Sequence, residues 1–437
     1  MTNGDSTKTN PSRLRLAVRA LRSRNYRLFF VGQGISLVGT WMQRIAVSWM
    51  IYRLTGSAFL LGIVGFVGQI PTFLIAPYAG VLADRLNRHR VVVITQVLAM
   101  LQALVLAVLA LTGAIEVWHI LVLSVVLGLI NGFDIPTRQS FVVEMVENRE
   151  DLGNAIALNS FLVNGARLVG PSVAGILIAT MGEGVCFLVN GLSYLAVIAS
   201  LLMMALPPRR IAARNVSVLH DLREGAVYAF HSVPIRSVLL LLALVSLMGM
   251  PYVTLLPVFA KDILHGGPHT LGFLAGASGL GAVIGAFYLA SRESVVGLVR
   301  LICLAAAFFG IGLLAFSFST FFWLSCLTLM VVGFAMMTQM AGSNTILQTI
   351  VEEEKRGRVM SFYTMAFMGM APFGSLLAGT LAGLIGAPWT LVVSGVACLL
   401  GALWFASRIP AMRKVIRPIY IEKGILPADD YGVSESR

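Results

Sequence analysis

Three ionisable residues lie inside long apolar stretches of the chain: Arg44, Asp134 and Arg167. A charge in the hydrocarbon interior of a membrane costs on the order of 3 kcal/mol unless it is paired or hydrated, so each is a candidate functional residue. Arginine presents a planar fork of donors that suits an anion. A buried aspartate suits either an ion pair or proton transfer. All three residues fall in the first half of the chain.

Both arginines belong to polar stripes at helical spacing. The stripes comprise Gln33, Ser36, Thr40, Arg44 and Ser48, and then Ser160, Asn164, Arg167 and Pro171. We expect both to face a central aqueous cavity and to bind an anionic or multiply hydrogen-bonding substrate. The candidate substrate ligands are Gln33, Thr40, Arg44, Asn164 and Arg167. Two alternatives stay open: pairing of either arginine with Asp134, and extension of the arginine side chains to the membrane surface.

The composition predicts the helices that position these residues. Of the 437 residues, 57% are apolar and only 12% are charged, about half the charged share of an average soluble domain. Twelve membrane-spanning helices of about 20 residues use roughly 240 apolar residues, close to what the chain contains. We therefore expect an all-α integral membrane protein. The composition excludes a soluble enzyme and a disordered chain, and it argues against a transmembrane β-barrel.

The apolar segments predict twelve transmembrane helices, six on either side of the longest polar interval. The predicted segments are an N-terminal tail at 1–26, a six-helix bundle at 27–206, a linker at 207–235, a second six-helix bundle at 236–407 and a C-terminal tail at 408–437. Apolar residues recur at helical spacing within the linker, which predicts an amphipathic helix. It lies either along the membrane surface or packed as an extra cytosolic helix.

The distribution of Lys and Arg predicts the orientation. Of the 32 such residues, 28 fall on the predicted side that holds both termini, and only Arg53 and Lys261 fall on the other. Because cytoplasmic loops are enriched in Lys and Arg, both termini are expected in the cytoplasm. The net charge of +12 then reflects topology, and no nucleic-acid partner is expected.

Glycines reveal a weak internal repeat. At a shift of 204 residues the three glycines of the fifth span coincide with three in the eleventh, and further matches join the second and eighth spans and the fourth and tenth. The matched pairs are Gly165 with Gly369, Gly170 with Gly374, Gly175 with Gly379, Gly62 with Gly272, and Gly128 with Gly333. A duplicated bundle places the substrate site near the midplane between the two halves.

The loop after the second span carries a specific motif. It reads Gly80-Val-Leu-Ala-Asp84-Arg85-Leu-Asn-Arg88-His-Arg90 and resembles the loop signature of the major facilitator superfamily. Asn87 replaces a usual glycine, and because asparagine also tolerates the left-handed conformation, we expect the turn to survive.

The resemblance implies twelve transmembrane helices in two six-helix bundles, the major facilitator fold. It also implies that Asp84 meets the N-terminus of the eleventh span near Gly357. The cluster of Gly80, Asp84, Arg85, Arg88 and Arg90 then locks the two halves in the outward-facing state.

Further stretches narrow the resemblance to the superfamily branch that contains the enterobactin exporter and related bacterial efflux proteins. They are Gly39–Arg44, Phe133–Gln139 and the run from Asn164 to Pro171. The set Gly165, Gly170, Pro171 and Gly175 also resembles the fifth-span signature of the antiporters. There glycine and proline allow close packing and a bend, which implies a role in gating.

The same resemblance gives Asp134 a conformational role as the partner of a loop arginine. Arg88 is the preferred partner and Arg138 the alternative. Asp134 lies about one turn from the cytosolic end of the fourth span, and the sequence places no carboxylate at mid-membrane. Asp134 is nevertheless the candidate proton-coupling residue, because it is nearly the only buried carboxylate.

The sequence thus predicts a secondary transporter that exports a small molecule across the bacterial inner membrane by alternating access. The proton gradient is the expected energy source. A siderophore-like or other anionic substrate is slightly favoured, with a multidrug exporter or a lysophospholipid flippase as alternatives. The four cysteines lie singly in apolar runs. No metal, cofactor or enzymatic activity is expected, and the resemblance favours a monomer in the bilayer.

Overall fold

The computed structural model describes residues 18–205, 226–292 and 294–427, with the backbone alone at 77 and 80–85. Twelve long helices fill this part of the chain. They are α1 (Arg24–Thr55), α2 (Ala58–Arg85), α3 (Arg88–Leu111), α4 (Val117–Met145), α5 (Leu152–Met181), α6 (Glu183–Leu202), α7 (Val233–Ile263), α8 (Pro268–Ala290), α9 (Leu298–Ser317), α10 (Phe322–Ile350), α11 (Glu353–Ile385) and α12 (Ala387–Glu422).

Eleven of these helices are long and apolar enough to cross a membrane. The twelfth long helix, α1, contains Arg24, Arg27, Arg44 and Arg53 in its 32 residues. It packs along α6 and α5, which are themselves spans, so it runs through the same layer. Its contact with α6 is close because a Cβ built on Gly39 would lie 2.5 Å from the side-chain oxygen of Asn190. The prediction of an all-α membrane protein is confirmed.

The turn between α2 and α3 forms with asparagine at position 87, as expected, but without a left-handed residue there. Asn87 has a φ of −72° and an extended backbone. Its side-chain oxygen instead accepts a hydrogen bond from the backbone N–H of Arg90 at 3.1 Å. Asparagine at this position therefore caps the N-terminus of α3, which satisfies one of the free donors of the first turn.

The glycines matched by the repeat meet across the two halves. A Cβ built on Gly62 of α2 would lie 2.9 Å from the Cα of Gly379 in α11. One built on Gly272 of α8 would lie 2.8 Å from the Cα of Gly175 in α5. Because Gly62 matches Gly272 and Gly175 matches Gly379, these are two copies of one contact. Small residues allow such close helix approach within a membrane.

These paired contacts lie toward one face of the membrane layer. We call the face where α1 begins and α12 ends the terminal side, and the opposite face the far side. Gly62 and Gly272 lie near the far-side starts of α2 and α8. Toward the terminal side, Ile156 and Phe161 of α5 are more than half exposed, and a Cβ built on Gly357 of α11 would meet nothing within 4 Å. The halves therefore touch on the far side and diverge on the terminal side.

Two helices of the second half are interrupted by π-helical turns. These turns span Val245–Gly249 and Phe259–Ile263 in α7, and Met365–Gly369 in α11. The hydroxyl of Ser246 donates to the carbonyl of Phe367 at 2.5 Å, which ties the first α7 turn to the α11 turn. Such turns are frequent at functional sites, and they make these two helices the irregular members of the bundle.

Segment ends differ from the predicted boundaries in two places. The last helix continues to Glu422 instead of ending near 407, because Met412, Ile416 and Tyr420 recur every four residues and are buried against neighbouring helices. Of the predicted linker, 226–231 is helical and α7 begins at Val233. The part at 207–225, which carries most of the predicted amphipathic helix, lies outside the described residues.

Candidate functional site

Two arginines share one tryptophan about halfway along α1 and α5. The guanidinium carbon of Arg44 lies 4.8 Å from the ring centroid of Trp41, and that of Arg167 lies 5.8 Å from the same centroid. A guanidinium within about 6 Å of an indole is attracted by the ring quadrupole, with an energy of roughly 0.5–2 kcal/mol. The two candidate ligands on α1 and α5 are thus brought together, as the sequence predicts.

The same cluster touches the second half. The guanidinium of Arg167 donates to the thioether sulfur of Met336 in α10 at 3.5 Å. A thioether is a weak acceptor, so this contact satisfies little of the guanidinium. Because Met336 belongs to the other bundle, the arginine pair lies at the boundary between the two halves.

Within the described part of the chain, neither Arg44 nor Arg167 forms an ion pair. The ion pairs found there join Arg19 with Asp151, Arg53 with Glu183, Arg88 with Glu144, Arg138 with Asp134, Lys355 with Glu352 and Arg356 with Glu353. The alternative in which Asp134 neutralises Arg44 or Arg167 is therefore wrong. Two positive charges remain at the boundary of the halves.

The other predicted ligands are placed less directly. Asn164 donates from its amide nitrogen to the carbonyl of Ser160 at 2.9 Å, one turn from Arg167. Thr40, one turn from Arg44, donates to the carbonyl of Ser36 at 3.0 Å, and its hydroxyl lies 3.5 Å from that of Tyr194.

Gln33 departs from the prediction that it faces the cavity with Arg44. It is only 3% exposed, whereas Arg44 is exposed, so the two do not share an accessible surface.

Asp134 is buried between α3 and α4 with both carboxylate oxygens engaged. Its Oδ1 accepts from Thr95 at 2.9 Å and from Gln96 at 2.7 Å. Its Oδ2 lies 3.1 Å from the Nε of Arg138, one turn further along α4. The partner is thus Arg138, and the preference for Arg88 is wrong. Arg88 reaches another part of α4, where it pairs with Glu144 at 3.0 Å.

The remaining residues of the two signatures occupy varied environments. A Cβ on Gly170 would lie 2.5 Å from the Cβ of Trp41, so α5 and α1 approach closely beside the arginine pair. A Cβ on Gly165 would meet nothing within 4 Å, so the prediction that Gly165 allows close helix packing is wrong. Pro171 is buried within α5, and Arg90 is exposed. The side chains of Asp84 and Arg85, together with Gly80, lie outside the described set.

Sequence reasoning missed Trp41 and Met336 as site residues. Trp41 lies three positions before Arg44, and residues so spaced are neighbours on a helix, so the pairing was visible in the sequence. The reach of Arg167 to Met336 joins positions 169 apart and left no sequence signal. A buried amide chain joins three helices of the first half: Asn190 donates to Gln43 at 2.7 Å, and Gln43 donates to Gln102 at 3.0 Å.

A polar contact joins the halves at the far side. The hydroxyl of Tyr52, near the end of α1, donates to the carboxylate of Asp262 in α7. The ammonium of Lys261 lies 5.4 Å from the centroid of the Tyr52 ring. We call this group the far-side tie. It adds a hydrogen bond to the glycine contacts that close this face.

Tyr52→Phe should loosen the far side, because it removes the donor while keeping the ring. A hydrogen bond to a charged group contributes roughly 1.5–3 kcal/mol, so the open population should rise about tenfold or more. The reporter is Ser375→Cys, a buried position beside Gly65 at the α2–α11 contact, alkylated with a membrane-impermeant maleimide. The exposed Tyr288→Phe is the control. Equal labelling in both backgrounds would contradict a role for the tie.

Twelve helices in two repeated halves, with a charged site at their boundary, define a membrane transporter of the major facilitator fold. The family model for the transmembrane secretion effector matches residues 17–418. The chain belongs to that family.

Similar curated proteins are transporters. The Staphyloferrin A transporter of Staphylococcus aureus is 25% identical over 386 residues, covering 87% of this chain and 96% of the relative. The multidrug efflux pump Tap of Mycolicibacterium fortuitum is 26% identical over 393 residues, covering 88% and 93%. Together with the matched family, these relatives place the chain among transporters of the major facilitator type, as a multi-pass protein of the bacterial inner membrane and not as an enzyme.

Solved structures support the fold. A bacterial homologue of the human lysosomal transporter Spinster, in an inward-facing unoccupied conformation, aligns with a TM-score of 0.70 at 15% identity, covering 90% of this chain and 98% of that one. A bacterial homologue of the iron transporter ferroportin, in an inward-facing state, aligns with a TM-score of 0.66 at 18% identity, covering 88% and 98%.

Proposed function

We propose that this transporter exports an anionic small molecule by alternating access, driven by proton entry. This proposal rests on the guanidiniums of Arg44 and Arg167. They lie at the boundary of the halves, with no carboxylate beside them in the described chain. A charge at this depth is costly unless it is compensated. An anion bound to the pair supplies that compensation, and arginine binds carboxylates through two parallel hydrogen bonds.

The charge asymmetry supports the orientation. The sequence assigns 28 of the 32 Lys and Arg residues to the loops and tails on the side of the two termini, so we place both termini in the cytoplasm. The far side is then periplasmic, and the halves diverge toward the cytoplasm, the side from which an exporter loads. In the opposite state, the signature loop with Arg88 and Arg90 would hold the cytoplasmic ends together. The proposed transporter acts as a monomer.

Asp134 is the proposed coupling residue. It is 4% exposed and paired with Arg138, so protonation would release that arginine. Helix α4, which carries Asp134, packs against α1, which carries Arg44. Release of Arg138 would reach the anion site through this helix contact and so couple the two sites.

A multidrug exporter is the second candidate, favoured by relatives such as Tap and the macrolide efflux protein A of Streptococcus pyogenes, 24% identical over 385 residues. A cationic drug would meet two unneutralised guanidiniums, which disfavours it at this site. The third candidate is a lysophospholipid flippase, whose substrate carries an anionic headgroup, and the test below includes it.

The test measures both binding and transport. In everted vesicles, a catecholate siderophore should collapse a pre-formed pH gradient, whereas a cationic dye should not. Arg44→Ala should weaken binding of the siderophore to purified protein by roughly tenfold to a hundredfold, because a charge-assisted contact is lost. The control is Arg413→Ala, an exposed arginine in the extension of α12. Gradient collapse by the dye, unchanged in Arg44→Ala, would instead establish a multidrug exporter. Collapse by a lysophospholipid alone would establish the flippase.

A further inference from the structure

The indole of Trp41 occupies the position where a counter-anion would be expected. Both guanidinium carbons lie within 6 Å of its ring centroid, at 4.8 and 5.8 Å. The electron-rich face of the ring attracts them but carries no net charge. A carboxylate offers each guanidinium a stronger, charge-assisted bond. An incoming anion would therefore draw the guanidiniums away from the ring.

The charges of the arginine cluster indicate how many acidic groups the substrate carries. The cluster holds two positive charges, and Asp134 is already engaged by Arg138. The neutral groups nearby, Thr40 and Asn164, each donate to a backbone carbonyl of their own helix. A monoanion would release one arginine from the ring and leave the other on it. Two acidic groups on one molecule would neutralise both arginines.

The geometry also limits the spacing of the two acids. Because both guanidiniums lie beside one ring, they are at most about 11 Å apart, the sum of their two distances from its centroid. Two acidic groups on a single six-membered ring fit that range. Once both arginines turn to those acids, the face of Trp41 is free. A planar aromatic ring between the acids can then stack on it in the offset arrangement that aromatic pairs prefer.

We propose that Trp41 is a specificity-determining residue that selects substrates with two acidic groups carried on an aromatic ring. This inference rests on the proposed anion export and deepens it. In the substrate-free site Trp41 holds the arginines together at the boundary of the halves. In the bound site it stacks on the substrate ring, while Arg44 and Arg167 bind one acidic group each.

Three probes separate the two parts of the inference. Benzoate has the ring and one acid, benzene-1,3-dicarboxylate has the ring and two, and cyclohexane-1,3-dicarboxylate has two acids without an aromatic ring. Binding is measured on purified full-length protein by intrinsic tryptophan fluorescence and by calorimetry. We expect the aromatic diacid to bind at least tenfold tighter than either other probe.

Variants of Trp41 and Arg44 test which residue causes each of the two binding preferences. Trp41→Leu should remove the preference for the aromatic over the cyclohexane diacid, and Trp41→Phe should retain most of it. Arg44→Ala should remove the preference for two acids over one. The matched control is Trp404→Leu, since Trp404 also carries an arginine, Arg408, at 5.9 Å but lies outside the site. It should leave all three affinities unchanged.

Several outcomes would overturn the inference. One is an aromatic preference that survives in Trp41→Leu, and another is equal affinity for one and two acids in the wild type. A wild type that binds none of the probes also overturns it. These results leave the proposed anion export standing if Arg44→Ala still impairs the siderophore-driven gradient collapse. Loss of that dependence would instead reject anion export itself, so the two failures are distinguishable.

Discussion

Gly62→Val is expected to abolish export while leaving each six-helix bundle folded. A Cβ at Gly62 would lie 2.7 Å from the carbonyl oxygen of Ser375 and 2.9 Å from the Cα of Gly379. Both are backbone atoms, which cannot rotate away as a side-chain end can. The far side would then fail to close, and a transporter that cannot close one face cannot alternate. We expect transport to fall by at least a hundredfold.

The matched control is Gly165→Val, since a Cβ at Gly165 would meet nothing within 4 Å. Transport measures function, and maleimide labelling of Ser375→Cys measures opening of the far side. Labelling should rise in Gly62→Val and stay low in the control. Normal transport in Gly62→Val would mean that the α2–α11 contact is not a gate.

The repeat extends this prediction to the second contact. Gly272→Val on α8 would place a Cβ 2.5 Å from the carbonyl oxygen of Pro171. Because this contact is the counterpart of Gly62 with Gly379, it should produce the same loss. If only one of the two variants lost transport, the far-side gate would be asymmetric.

The sequence predicted the helices and the glycine repeat behind this gate, but it did not predict the gate itself. Membrane helices must bury apolar surface over a fixed thickness, so hydropathy alone places twelve helices. The repeat matches Gly62 with Gly272 and Gly175 with Gly379, but it does not indicate that Gly62 meets Gly379 or that Gly272 meets Gly175. Small residues allow close approach at many positions of a membrane helix, and the packing of the two halves decides which of them meet.

Features that depend on side-chain partners were harder to foresee. Arg88 and Arg138 have the same chemistry, and the choice between them as the partner of Asp134 depends on the rotation of α4 against α3. Gln33 points in nearly the same direction as Arg44, but it lies about three turns nearer the terminal side. There α6 packs closely against α1, and Gln33 is buried. The extension of α12 was missed because charged residues alternate with its buried Met412 and Ile416.

Asp134→Ala is expected to destabilise the first bundle strongly. It removes the acceptor for Thr95 and Gln96 and leaves Arg138, whose side chain is 20% exposed, without its partner. Breaking a buried pair costs about 3–5 kcal/mol, because the remaining charge is desolvated and uncompensated. Thermal unfolding in detergent should shift downward accordingly. The double variant Asp134→Ala/Arg138→Ala should recover much of the loss, since it removes the stranded charge as well.

Asp134→Asn separates structure from coupling. The amide oxygen of asparagine can still accept from Gln96, so the fold should survive, but the side chain can neither carry a proton nor attract Arg138 as an anion. If Asp134 couples protons to export, this variant should lose gradient-driven export yet retain exchange of labelled for unlabelled substrate, which needs no net proton movement. Loss of both activities would assign Asp134 to the conformational ion pair alone. Retention of both would reject the two roles, and coupling would then run through the charge of the substrate bound at Arg44 and Arg167.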